Sequence, residues 1–300
     1  MSFYRNWMTY IKDDAKITRI AMPGSHNSAT MAMNKLGCCQ KGTLYEQYCY
    51  GLRMFDIRLK ANKKGELIAA HGVINGVSAE RVFLDLKKIV EETEDFIVIC
   101  LRTYMNQGFG PIKLSYDSNN EETSRLIRTC LSPEKYALTD IENIADLTIG
   151  DIRKSGKKYI IINENAEYDY SVNCPMQYPW ASDIYGLETT KFAKTILKYF
   201  DEIESEGFFG FQTQMTPNLG TENGWANWPD DLDDMIRPYI PQIIGDIAAN
   251  PKWLDKVNII VGDFMTKDKM KSNEILSLNL LKGIVKEELC DEYAKAIGKY

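Results

Sequence analysis

Short apolar runs rich in β-branched residues alternate along this chain with longer stretches in which apolar residues recur at helical spacing. The runs YIII and NIIV, within Lys158–Asn163 and Val257–Asp263, are apolar without alternation, as expected of parallel strands that are covered on both faces. Strands of this kind are usually connected by crossover helices. The pattern therefore predicts an α/β protein built on a parallel sheet.

The strand and helix boundaries follow from the same pattern. The predicted strands are Ile17–Met22, Arg53–Leu59, Leu67–His71, Phe96–Arg102, Lys158–Asn163, Phe208–Thr213 and Val257–Asp263. The predicted helices lie between the N-cap Ser78 and Thr93 and at Glu121–Cys130, Phe192–Phe200, Asp231–Ala248, Asp268–Leu281 and Val285–Ile297. No linker rich in Pro, Gly or Ser divides the 300 residues. We therefore expect one domain over residues 1–300, a closed or nearly closed β/α barrel, with a doubly wound open sheet as the alternative.

Composition excludes several classes of function. The chain has 36 Lys and Arg against 42 Asp and Glu, a net charge of -6, and no dense basic block, which argues against a nucleic-acid partner. No apolar run approaches the length of a membrane span, and the N-terminal residues carry no apolar signal region. The default expectation is a cytoplasmic protein, or a secreted one if a leader was removed. The seven scattered cysteines are expected to be reduced thiols.

Only two histidines occur, His26 and His71, and each stands at the end of a predicted strand, where a barrel collects its catalytic groups. Between them, strand alternation places Asp56 and Arg58 on one face, and such charges are costly inside a barrel unless they are used. Two imidazoles and a guanidinium could supply the base, the acid and the cation of a metal-free phosphodiester cleavage. A metal site made from both histidines would need carboxylates, of which Asp56 could be one.

The motifs around these residues resemble the phosphatidylinositol-specific phospholipase C X-domain family, in particular its bacterial, calcium-independent type. The matching segments are TRIAMPGSHNSAT (Thr18–Thr30), GLRMFDIRL (Gly51–Leu59), ELIAAHG (Glu66–Gly72), FIVICLR (Phe96–Arg102) and VNIIVGDF (Val257–Phe264). The resemblance implies a distorted (β/α)8 TIM-type barrel. It also implies a lyase-type phospholipase C that cleaves phosphatidylinositol, or its glycosylated anchor, to diacylglycerol and inositol 1,2-cyclic phosphate.

Roles for individual residues follow from the resemblance. His26 would be the general base that deprotonates the inositol 2-hydroxyl, and Asp263 the carboxylate that orients it. His71 would be the general acid that protonates the diacylglycerol oxygen. Arg58 stands where the calcium-dependent enzymes of the family have an acidic metal ligand, so the resemblance implies catalysis without a metal or other cofactor. Asp56 completes this set beside Arg58.

The chain also departs from the family pattern. Asn27 is a further candidate catalytic residue. It replaces an aspartate that supports the second histidine in the family, so we expect the proton donation by His71 to be arranged differently. Asn27 and Asp56 together also resemble residual calcium ligands, although Arg58 would repel that ion. Arg102 lies near the position of a substrate-binding lysine, and Asp183 and Tyr185 fit an Asp-x-Tyr pattern that holds the inositol ring.

A membrane surface containing phosphatidylinositol is the expected partner, contacted transiently by a monomer that needs no obligate protein partner. Trp225 and Trp228, in a loop rich in Gly, Asn and Pro, are candidates for contact with the lipid interface. Two alternatives remain open at this point. One is a metal-dependent phosphodiesterase of the glycerophosphodiesterase or sphingomyelinase D type, and the other is an inactive module that binds inositol lipids.

Overall fold

The structure is a computed structural model that describes residues 2–103, 106–109, 112–115, 119–163, 167–173, 176–179, 189–204, 206–216 and 228–299. Its strands are β1 (Met22–Ser25), β2 (Met54–Ala61), β3 (Leu67–His71), β4 (Ile74–Ser78), β5 (Ile97–Thr103), β6 (Asn106–Phe109), β7 (Ile112–Ser115), β8 (Tyr159–Asn163), β9 (Ser171–Val172), β10 (Met176–Gln177), β11 (Phe208–Gln212) and β12 (Ile259–Gly262).

Helices cover the outside of the sheet. They are α1 (Leu44–Cys49), α2 (Ala79–Glu92), α3 (Asn120–Leu131), α4 (Pro133–Tyr136), α5 (Ile149–Ser155), α6 (Thr189–Ile196), α7 (Tyr199–Glu202), α8 (Pro229–Ile236), α9 (Ile240–Ala249), α10 (Pro251–Lys256), α11 (Met270–Leu281) and α12 (Cys290–Ala296). Short 3₁₀ helices lie at Phe3–Arg5, Trp7–Tyr10, Ile17–Arg19, Ile144–Asp146, Arg237–Tyr239 and Glu287–Leu289. Among the described helices, none combines the length and the apolar character that crossing a bilayer requires.

The main sheet is a curled parallel sheet with the strand order β10-β11-β12-β1-β2-β5-β8-β9. Its two ends, β9 and β10, are short and are not paired with one another within the described part of the chain. The sheet is therefore a distorted (β/α)8-type barrel, which confirms the predicted fold class. The observed curl and the pairing of β1 with β12 exclude the flat, doubly wound alternative.

Strand alternation divides the core into two layers, as the sequence pattern requires. The interior of the barrel is filled by side chains such as Met54, Val98, Ile160 and Val261. The intervening residues, among them Phe55, Ile99, Ile161 and Ile260, pack outward against the helices. Because Asp56 and Arg58 follow Met54 on the inward face, they lie at the level where the interior opens toward the carboxyl ends of the strands.

Two predicted strands differ from the structure. Residues Ile17–Arg19 form a 3₁₀ helix, and the first strand begins only at Met22. Local preference for extended structure was overridden there, because Ile17 and Ile20 are buried in the interior cluster from outside the sheet. Leu67–His71 is a strand, but it pairs antiparallel with β2 and β4. It is thus an arm of a hairpin that projects from the barrel, and the inference that His71 ends a barrel strand was wrong.

Candidate active site

The carboxyl ends of β1, β2, β5 and β12 bring together most of the residues selected from the sequence. His26 directly follows β1, and Asp263 directly follows β12. These strands are paired in parallel, with Ser25 opposite Gly262, so the two residues that follow them are neighbours. Their proximity is thus set by strand register, although 237 positions separate them in sequence.

His26 and Asp263 are joined by a hydrogen bond of 2.8 Å between Nδ1 of the imidazole and Oδ1 of the carboxylate. Their side chains are 14% and 6% exposed, respectively. A carboxylate on Nδ1 holds that proton in place and leaves Nε2 as the basic nitrogen. The pair therefore has the geometry of a base and the group that orients it.

Asp56 and Arg58 form an ion pair at the same level of the barrel. The guanidinium of Arg58 donates to the carboxylate of Asp56 through Nη2 at 2.8 Å and through Nε at 3.1 and 3.2 Å. Burial raises the pKa of Asp56, but the charges of Arg58 and of Arg102 outweigh that effect and hold the pKa below its usual range. Asp56 is therefore ionised, and it orients a guanidinium whose fork of donors suits a phosphate.

His71 faces His26 across the pocket, with ring centroids 6.2 Å apart and ring planes nearly perpendicular. Its Nδ1 lies 3.0 Å from the carbonyl oxygen of Gly37, so Nδ1 carries the proton and Nε2 remains for chemistry. Burial, with a further contribution from His26, lowers the pKa of His71 to about 4. Without a bound anion, His71 is neutral at pH 7.

Asn27 does not contact His71 in the way that the family aspartate implied. Its side-chain Nδ2 lies 3.0 Å from Nε2 of His26, while its backbone N–H donates to Asp56 at 3.2 Å. The residue has a φ of 45°, a left-handed conformation that Asn and Asp tolerate better than most residues. Its Oδ1 is buried and has no hydrogen-bond partner among the described residues.

A short segment, Gly37–Gln40, connects both histidines to the end of β12. Besides the Gly37 carbonyl, Cys39 accepts the backbone N–H of Phe264 on its carbonyl at 2.8 Å. The fully buried side chain of Gln40 donates to the carbonyls of His26 and Gly262 at 3.0 and 2.8 Å. This segment could not be predicted from the sequence, because a single glutamine and a pair of cysteines carry no recognisable catalytic signal.

Arg102 belongs to the same layer, since it pairs in register with Arg58 across β2 and β5. Its guanidinium carbon lies 5.0 Å from the ring centroid of Tyr178. That ring occupies space left by Gly210, where an added Cβ would overlap it. Tyr178 was not predicted; a glycine in an apolar strand, which marks a close approach of another group, was the available signal.

The remaining predicted site residues are less well placed. Asp183, Tyr185 and Trp225 lie outside the described residues. Trp228 is half-buried and is the residue before α8. Its role in lipid contact stays a prediction.

One group of metal-ligating side chains is found in the described part of the chain. His26, Cys39 and Asp263 each offer a ligand atom, and these atoms all lie within 4.8 Å of one another. Asp56, which the sequence offered as a metal ligand beside the histidines, is not in this group and is paired with Arg58. The cysteines among the described residues, Cys39 included, form no disulfide with one another.

Comparison with known proteins supports the resemblance to the phospholipase C family. No family model matches the chain. A PI-PLC X-box domain-containing protein of Dictyostelium discoideum is 30% identical over 119 residues, a match covering 32% of this chain and 16% of that protein. The chain thus corresponds to about a sixth of this relative.

Among solved structures, the phosphatidylinositol-specific phospholipase C from Listeria monocytogenes is similar with a TM-score of 0.68 and 18% identity, covering 92% of this chain and 98% of that one. A point mutant of the phosphatidylinositol-specific phospholipase C from Staphylococcus aureus is similar with a TM-score of 0.68 and 16% identity, covering 91% and 96%. The likeness in fold thus extends over nearly the whole of both chains.

Proposed function

We propose that this chain is a metal-independent phospholipase C that cleaves phosphatidylinositol, or its glycosylated anchor form, to diacylglycerol and inositol 1,2-cyclic phosphate. The observation that carries the proposal is that the two histidines of one pocket have their Nδ1 atoms bonded to different kinds of acceptor. His26 has its Nδ1 on a carboxylate, and His71 has its Nδ1 on a neutral carbonyl. One imidazole is therefore prepared to accept a proton, and the other can present Nε2 to a leaving group.

In the proposed reaction, Nε2 of His26 takes the proton of the inositol 2-hydroxyl, whose oxygen attacks the phosphorus of the 1-phosphate. The bond from phosphorus to the diacylglycerol oxygen breaks, and His71 gives that oxygen its proton. Asp263 stabilises the imidazolium that forms on His26. To admit the hydroxyl, the side-chain amide of Asn27 must give up its contact with Nε2.

Arg58 supplies the positive charge that the phosphoryl oxygens require. Its guanidinium is oriented by Asp56 and lies close enough to His71 to contribute to the lowering of the pKa of that residue. A phosphodiester bound there is an anion beside His71, and it favours the protonated imidazole that the acid step needs. A permanent cation at this position supports catalysis without calcium.

The substrate is proposed to be taken from a membrane surface. Leu36 and Val73 are 46% and 45% exposed, and both belong to segments that border His71. A Cβ at Gly37 would come within 2.9 Å of the side chain of Ile74, so these two segments touch. Exposed apolar side chains beside the pocket are suited to contact with lipid.

Phosphorus NMR of phosphatidylinositol vesicles, recorded once in EDTA and once in calcium, tests the proposal. We expect cyclic inositol phosphate to form at similar rates in both buffers and to be lost in His26→Ala and in His71→Ala. The matched control is Cys38→Ser, a half-buried thiol beside the pocket that the reaction does not use.

Three outcomes would contradict the proposal. Product that forms only with calcium would mean that Asn27 and Asp56 still hold a metal. Release of phosphocholine or choline from other lipids, without product from inositol lipids, would favour a phosphodiesterase that acts on lipids with another headgroup. Vesicle binding with no product in either buffer would indicate an inactive lipid-binding module.

A further inference from the structure

A buried thiol lies between the two histidines, and the proposed reaction does not use it. Cys39 is 1% exposed. Its Sγ lies 3.7 Å from Nδ1 of His71 and 3.8 Å from Nδ2 of Asn27. The pocket therefore contains a sulfur, two imidazoles and a carboxylate within a few ångströms of one another.

Three of these side chains are arranged as a metal-binding group. Ligand atoms of His26, Cys39 and Asp263 lie within 4.8 Å of one another. An imidazole nitrogen, a thiolate and a carboxylate are the donors that zinc prefers, at about 2.0 to 2.3 Å in tetrahedral geometry. We propose that these three residues bind a Zn²⁺ ion, which inhibits the enzyme by occupying its catalytic base.

The His26–Asp263 pair needs only a small adjustment to accept the ion. Tetrahedral ligands at such lengths are separated by about 3.3 Å, and the Nδ1 of His26 lies 2.8 Å from Oδ1 of Asp263. An increase of about half an ångström inserts the ion in place of the hydrogen bond. The sulfur of Cys39, which starts within 4.8 Å of the other two ligand atoms, moves in as the third ligand, and water would complete the coordination.

The side-chain oxygen of Asn27, for which the described residues offer no hydrogen-bond partner, is a second, independent observation that fits this exchange. When zinc takes Nδ1, the proton of the neutral imidazole resides on Nε2, which becomes a donor. After the side-chain amide rotates, the buried Oδ1 of Asn27 accepts a hydrogen bond from this N–H. The Cys39 thiol releases its proton to solvent, so that a thiolate and a carboxylate balance the charge of the ion.

Cobalt binding tests the site without reference to catalysis. Protein stripped with EDTA, freed of chelator and kept in a thiol-free reductant is titrated with Co²⁺, and the near-ultraviolet charge-transfer band from thiolate to cobalt is measured. We expect a band that saturates at one equivalent, is abolished in Cys39→Ser and is retained in Cys38→Ser. Zn²⁺ should displace the cobalt.

Inhibition is measured on the same proteins. We expect Zn²⁺ to inhibit the wild type and Cys38→Ser alike, whereas Cys39→Ser stays active in EDTA and needs at least about tenfold more zinc. Near-ultraviolet circular dichroism checks that the variants are folded, and Cys39→Ala replaces the serine variant if the buried hydroxyl disturbs the fold. Absence of a band, a band that persists in the Cys39 variants, or equal zinc inhibition in them would overturn the proposal.

Because the band does not depend on turnover, a chain that binds cobalt but cleaves no inositol lipid would refute the proposed function and leave the metal site standing.

Discussion

Each histidine of the pocket has its Nδ1 fixed by a different kind of acceptor. The carboxylate of Asp263 places a full negative charge beside His26, whereas the Gly37 carbonyl fixes the orientation of His71 and adds no full charge. The negative charge of Asp263 thus lies beside His26, the residue that gains a proton in the proposed reaction. His71, which must donate a proton, has no such carboxylate, and in the proposed reaction the bound phosphate favours its protonated form.

A carboxylate at position 27 should alter the pH dependence of catalysis. In Asn27→Asp, an anion would lie beside Nε2 of His26, where the Nδ2 of Asn27 now lies at 3.0 Å, and it would favour the protonated imidazole. Because the base must be neutral, we expect the acidic limb of the kcat/KM profile, measured in EDTA, to move to higher pH. Asn27→Ser, which adds no charge, is the control, and an unmoved limb in the aspartate variant would contradict this assignment.

The burial of His71 should make the folded state sensitive to mild acid. The unfolded chain binds a proton at this residue near its ordinary pKa of 6.5, whereas the folded chain, in which the pKa of His71 is lowered to about 4, does not. Stability is therefore lost as the pH falls from about 6.5 to about 4. Relative to His71→Asn, the wild type should lose about 3 kcal/mol of unfolding free energy across this window. Urea denaturation at several pH values, in EDTA, measures the difference, and parallel curves for the two proteins would count against it.

At the scale of elements, the hairpin arm β3 and the segment Gly37–Gln40 place His71, which no barrel strand carries. The start of β2 is fixed from the opposite side by an ion pair. Arg53, fully buried, donates to Asp95 at 2.7 and 3.0 Å and to the carbonyl of Tyr4 at 2.9 Å. This pair ties the N-terminal segment and the start of β5 to the strand that bears Asp56 and Arg58.

Removing one member of this buried pair should be far more destabilising than removing one member of an exposed pair. In Asp95→Ala, the charge of Arg53 would remain buried without its counterion, and we expect a loss of about 3 to 5 kcal/mol of unfolding free energy. The control is Glu122→Ala, which removes an ion pair with Arg125 on the surface of α3 and should cost less than about 1 kcal/mol. Urea denaturation curves of the two variants give the comparison, and similar losses would refute it.

At the scale of the whole molecule, the proposed membrane contact would depend on the exposed apolar residues beside the pocket. The net charge of -6 offers no general attraction to anionic lipid. Adsorption must then depend on apolar contact, which is weak and reversible when few side chains take part.

Polar substitution at this rim should weaken binding to vesicles. We expect Leu36→Ser and Val73→Ser each to reduce partitioning onto phosphatidylinositol vesicles about fivefold, since each side chain stands to bury about half its surface. Leu281→Ser is the control, because Leu281 is 59% exposed at the end of α11, on the side of the barrel away from the pocket. Sedimentation with vesicles measures the effect. Equal loss in all three variants, or none in the rim variants, would place the lipid contact elsewhere.

The sequence predicted the strands of the barrel well where burial on both faces produces an unbroken apolar run. It also selected His26, Asp56, Arg58, Arg102 and Asp263, whose positions at strand ends follow from the parallel order of the sheet. It failed over most of the predicted strand Ile17–Met22, because residues 17–21 pack against the barrel and only Met22 joins the sheet. It also failed to show that β3 belongs to a hairpin, since a run such as LIAAH is the same in parallel and antiparallel pairing.

Sequence by itself thus determined the α/β class, the inward face of β2 and the inventory of acid, base and cation, because each depends on local pattern or on residue type. Only the tertiary structure decided which groups the ring nitrogens face. The amide of Asn27 lies against His26, the carbonyl of Gly37 holds His71, and the thiol of Cys39 lies between them. These contacts join segments whose relative positions are fixed by strand register and by buried hydrogen bonds, and neither can be read from one segment alone.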